Sequence, residues 1–157
     1  MHAQQVPRLS WLAWLLLGCV AAVAAQSRIP SALTASDRAT VRRYALSEAM
    51  FQRLLATARD AKMNKIPIDM VDPSAHSLND TAAHLQQSAG VRALLDRHGL
   101  SAHDFVLGEY ALLGAEFAVK YAGRPSFDAG LANPANIALY KRHAAELDAL
   151  AGEDAND

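Results

Sequence analysis

Between residues 47 and 63 the apolar side chains Met50, Phe51, Leu54, Ala58 and Ala61 fall at steps of three and four, which places them on one face of a helix. Ser47 just ahead is a good N-cap residue. Glu48 near the start, with Lys62 and Lys65 near the end, complements the helix dipole. Pro67, Asp72 and Pro73 break the pattern, so KIPIDMVDPSAH is expected to be a connector. Leu78, Ala82 and Leu85 form the next stripe, capped by Ser77 or Asn79, and Ala89-Gly90 should divide this region into two short helices. The second, VRALLDRH, runs into Gly99-Leu100, the pattern of a left-handed C-cap.

Ser101 then opens the longest helix, with Asp104 three residues on in a variant of the capping box. Val106, Leu107, Tyr110, Leu113, Gly114, Phe117, Ala118 and Tyr121 give it a broad apolar face, and Gly123 should stop it. GRPSFDAGLA reads as a loop. Asn133-Pro134 supplies a cap and a proline at the first helical position. One helix is expected to follow, burying Ile137, Tyr140, Ala144, Leu147 and Ala151. The chain shows no internal repeat and no convincing β-period segment. These segments predict an all-α, single-domain bundle of four to five helices over residues 47–151. Residues 26–46 are expected to be loosely structured, and 152–157 to form a disordered acidic tail.

The start of the chain changes the picture by assigning a compartment. MHAQQVPR carries one basic residue, Arg8, and no acid; an apolar run from Leu9 to Ala25 follows and ends in small residues. This is the pattern of a secretory signal peptide, with cleavage expected after Ala25. The run falls short of the roughly 20 apolar residues that a membrane span requires, so no stable span is expected after cleavage. A retained anchor is one competing reading. Another is a lipobox at Leu16-Leu17-Gly18-Cys19, which would leave a lipoprotein anchored through Cys19. Cleavage would remove Cys19, the only cysteine, together with Trp11 and Trp14. An exported domain without disulfide, thiolate ligand or thiol nucleophile must then be held by its core alone.

Charge excludes one partner class. With Arg8 gone, 14 of the 15 Lys and Arg residues face 16 acids, a net charge of −2. No basic stripe is present for phosphates, and nucleic-acid binding is not expected.

The candidate chemistry centres on RHGLSAHDFVLGEY, which holds His98, His103, Asp104 and Glu109. Helix ends account for three of these: His98 in a last turn, His103 and Asp104 in a first turn. Glu109 is left over. A metal held by His98, His103 and an acid is the competing chemistry, although the spacing matches no strong zinc motif. Glu109 and Glu116 lie seven apart, but di-iron bundles need Glu-x-x-His on two helices. The chain carries only the reverse, His143-Ala-Ala-Glu146. Glu116 with Lys120, and His84 with Asp80, read as i,i+4 pairs. His143 borders an apolar stripe and reads as a hydrogen-bonded histidine fixing helix register. Its sharper alternative is a haem or metal ligand, with Met50 or Met70 as a second haem ligand. No Gly-x-Ser-x-Gly elbow or phosphate loop occurs, so no residue is assigned a catalytic, cofactor-binding or metal role.

At SAHDFVLGEYALLGAEFAVKY and NPANIALYKRHAAELDAL the sequence resembles a family of small exported bacterial helical proteins with no established function. The shared features here are Tyr44-Ala45-Leu46-Ser47, Gly99-Leu100-Ser101, the Asn133–Asn136 cap and His143, over about 45–151. The resemblance implies export and an all-α fold, and it brings no catalytic residues. The expectation is thus a cofactor-free exported module that binds another envelope protein or a small apolar ligand. The alternative is a periplasmic metal- or haem-binding bundle using His143 with His84, His98 or His103.

Overall fold

The structure is a computed structural model that describes residues 33–72, 74–122 and 130–152. Residues 1–32, with the expected signal peptide and Cys19 among them, lie outside this set, as do Pro73, Gly123 and residues 153–157 of the expected tail. Among the described residues the secondary structure is all helical: α1 Ala35–Arg43, α2 Glu48–Met63, α3 Leu78–Leu85, α4 Ala89–Arg97, α5 Ala102–Lys120, α6 Pro134–Arg142 and α7 Ala144–Gly152.

The caps explain most of these boundaries. Ser47, Ser77, Ser88 and Ser101 each accept the backbone N–H three residues on, which satisfies a donor that no helical carbonyl can reach. Ser101 also donates its hydroxyl to Asp104 at 2.7 Å, so the acid holds the cap in place. At the end of α4, Gly99 adopts φ 64. Its N–H donates to Asp96, and Leu100 N–H reaches back to Leu95, which is the Schellman arrangement with Leu100 buried. The division between α3 and α4 falls at Gln86–Ser88. Ala89-Gly90, expected to form the break, instead opens α4, because the Ser88 hydroxyl caps Val91.

Two expectations need correction. Within the segment expected to be loose, residues 35–43 form α1. Thr34 caps it, Asp37 sits in its first turn and Arg42 and Arg43 in its last, while Val41 alone is fully buried. End effects make this helix, so a search for an apolar stripe misses it. The last helix is also two: α6 stops at Arg142 and α7 starts at Ala144. His143 leaves helical geometry with φ −109, and its N–H is shared between the Leu139 and Tyr140 carbonyls. The buried face of α6 is rotated towards Asn136, Leu139 and Tyr140, which leaves Ile137 half-buried.

α5 is the hub and packs against α1, α2, α3, α4 and α6. A one-sided face was expected, yet Phe105, Gly108, Ala111 and Ala115 are buried as well as Val106, Leu107, Tyr110 and Gly114. A helix apolar all round belongs in an interior, and small residues let its neighbours come close. A Cβ on Gly114 would lie 2.8 Å from the Leu131 carbonyl oxygen, which is backbone and cannot swing aside. One on Gly108 would meet Leu54 Cδ1 at 2.7 Å, the movable end of a side chain. Alanine in a helix normally gains about 1 kcal/mol over glycine. Gly114→Ala is therefore expected to lose about 2 kcal/mol net through overpacking, while Gly108→Ala stays within about 1 kcal/mol of the parent. Urea melts of the pair check this, and equal losses would contradict it.

Candidate functional site

The polar residues singled out from sequence are sent to different places. His98 Nε2 lies 3.0 Å from Asp60 Oδ2 on α2, beside Arg97 Nη1 at 2.6 Å from the same oxygen. These bonds, from His98 and then Arg97, hold the Asp60 carboxyl below its usual range. His103 is exposed at the start of α5. His84 pairs with Asp72 at 3.5 Å rather than with the expected Asp80. Asp80 is taken instead by the His76 N–H, at 2.9 Å, and by the Ser77 cap. Among the described residues no three His, Cys, Asp or Glu side chains are grouped to hold a metal ion.

His143 is drawn to the joint between α6 and α7. Its Nε2 lies 2.7 Å from Glu48 Oε1 and its Nδ1 2.8 Å from Glu146 Oε1. The ring rests on Phe51 with centroids 4.4 Å apart. Each ring nitrogen thus faces one carboxylate, one from α2 and one from α7. The residue therefore fixes the break between two helices and ties both to α2, a role close to the register function expected for it. Lys62 Nζ, donating to the Leu150 carbonyl at 3.0 Å, and Arg59 near Glu146 add further ties from α2 to α7. His143→Ala is expected to cost about 1 kcal/mol and to speed amide hydrogen exchange in Ala144–Gly152 more than in α3. Unchanged exchange in α7 would count against this role.

These ties hold α7 as the wall of a cleft of about 310 Å³. Phe51, Leu54, Leu55 and Ala58 of α2 form one side, Leu112 and Leu113 of α5 the floor, and Leu147 and Leu150 of α7 the far side. Polar groups enter from three elements: Glu109, Glu116 and Lys120 on α5, Tyr140 on α6 and Asp148 on α7. Glu116 and Lys120 form the i,i+4 ion pair expected from their spacing, at the rim of the cleft. That bond, with the Glu116 charge, raises the Lys120 pKa. Tyr140 is 7 % exposed, and its hydroxyl makes no hydrogen bond to any described residue. Burial, helped by the charges of Glu116 and Asp148, pushes its phenol up.

Among the described acids, Glu109 alone has its carboxyl shifted upward. Its side chain makes no hydrogen bond or ion pair with any described residue. Desolvation by the apolar wall pushes its carboxyl up to about 7. A weak signal for it was present in the sequence: within FVLGEYALLG it is the one polar residue, with helix neighbours Phe105, Val106, Leu112 and Leu113 all apolar. Periodicity marks such an acid as misplaced without saying whether a lysine from another helix answers it.

Among the described residues, a central apolar helix packed against five shorter ones, with α7 walling a half-open cleft at one flank, defines a helical bundle with a ligand-sized recess. No protein-family model, curated protein or solved structure matches the chain. Among the described residues no helix is long and apolar enough to cross a membrane.

Proposed function

We propose that this chain is an exported, non-catalytic binding protein of the cell envelope, and that it takes a small apolar ligand in the cleft between α2, α5, α6 and α7. Export enters from the leader: one basic residue, the run Leu9–Ala25 and small residues before Gln26. The observation that carries the binding role is the cleft itself. Its walls are mostly aliphatic, its volume of about 310 Å³ lies at the lower edge of the roughly 300–1,000 Å³ usual for ligand sites, and a few polar groups converge on it. Glu109 supports the same reading. Its carboxyl sits in an apolar wall with no partner among the described residues, and strongly shifted groups in clefts cluster at functional sites.

The test is calorimetric titration of the full chain with octanol, alongside an Ala58→Trp variant whose indole would fill the recess from the α2 side. Binding to the parent with a loss of at least about tenfold in the variant is expected. No heat from either protein, or equal affinity for both, would remove the cleft as the binding site.

A further inference from the structure

Resting on that reading, we infer that the ligand of the cleft carries a protonated amine on an apolar body, and that the Glu109 carboxylate receives it. The charges facing the recess decide the sign. α2 lines it with apolar side chains only, α5 contributes Glu109, Glu116 and Lys120, α6 contributes Tyr140, and α7 contributes Asp148. Lys120 is bonded to Glu116, and among the described lining residues three acids face this one cation. A carboxylate or phosphate ligand would meet repulsion here. A neutral ligand would leave Glu109 as it is in the empty protein. An ammonium group would give Glu109 the charge-assisted hydrogen bond that no described residue provides. The Tyr140 hydroxyl, also without a hydrogen-bond partner among the described residues, is a second acceptor on the same recess.

The binding step is a proton-linked equilibrium. Where Glu109 is protonated in the empty protein, an ammonium ligand must displace that proton to solvent, so its affinity falls with acid. An alcohol of the same length is indifferent. With burial holding the carboxyl near 7, the amine advantage should be full at pH 8 and much reduced at pH 5.5.

Octylamine, octanol and octanoate share one tail and differ in the head group, which makes them suitable probes of the full chain by calorimetry. At pH 8 octylamine is expected to bind at least about tenfold more tightly than octanol, the ratio one charge-assisted bond supplies, with octanoate weakest. Glu109→Gln should bring octylamine to within about threefold of octanol. Two results would overturn the inference while sparing the cleft: octanol binding as tightly as octylamine, or an amine preference that survives in Glu109→Gln. If none of the three probes binds, the ligand-site reading falls and this inference with it.

Discussion

Asn136→Ala is expected to destabilise the protein by about 3 kcal/mol, a downward shift of roughly 1.5 M in the urea midpoint. Asn136 is fully buried on α6, and its side chain bridges to the turn between α1 and α2. Its Oδ1 accepts the Leu46 N–H at 2.8 Å and its Nδ2 donates to the Tyr44 carbonyl at 2.8 Å. That turn has no helical neighbour for either group, so alanine would strand the buried Leu46 N–H and leave the Tyr44 carbonyl with a weaker partner. Neighbouring Asn133 donates to the Arg42 carbonyl at 2.9 Å and, by a long bond of 3.4 Å, to the Tyr44 carbonyl, so the Leu46 N–H carries most of the loss. Asn136→Asp keeps the acceptor, loses the donor and buries a charge, so it should cost at least as much at neutral pH. A midpoint shift below about 0.5 M in Asn136→Ala would show that water replaces the side chain and that the turn is not anchored there.

Glu109→Gln should act in the opposite direction and raise stability by about 2 kcal/mol at pH 8. The folded-state pKa of Glu109 is raised to about 7 from 4.5. Its contribution to stability is therefore fully present below about pH 4.5 and is lost as pH rises through 7. At 1.36 kcal/mol per unit the loss would be about 3.4 kcal/mol, and the contact that a half-buried side chain keeps with water reduces it. Glutamine carries no charge at any pH, so the variant escapes the loss. Thermal melts of parent and variant at pH 4 and pH 8 separate this from a packing effect. The two proteins should melt together in acid and part by several degrees in base. A gain of equal size at both pH values would mean that the carboxyl is not the cause. Stabilisation by removing a wall acid, joined to loss of amine binding, would be the trade expected of a site that holds an uncompensated group for its ligand.

Much of the fold was readable because caps and stripes are local. Ser47, Ser77, Ser101, the Gly99-Leu100 stop and Asn133-Pro134 each act on backbone groups within a few residues. The end of α2 shows where this limit lies. There Lys65 takes the left-handed position at φ 52, and the Ile66 N–H reaches back to the Ala61 carbonyl. The backbone motif matches the one at Gly99, but a lysine gives no sign of it. α1 was missed because its ends rather than a stripe hold it. The α6–α7 break was missed because the acids that seize His143 come from both sides, Glu48 lying far away in the chain.

The site was less legible than the fold. Glu109 and Tyr140 could be named, but not their solitude, and the His84 partner was wrongly placed four residues away. By itself the sequence determined an all-α class, most helix starts and stops, the leader pattern and the lack of any recognised catalytic motif. Tertiary structure decided that α5 lies at the centre, that His84, His98 and His143 go to separate carboxylates, and that α2, α5, α6 and α7 leave a recess whose wall holds an acid that no described residue answers. The reason is range. Capping and periodicity are satisfied within one or two helical turns, whereas an ion pair, a desolvated carboxyl or a cleft exists only once residues distant in the chain are packed side by side.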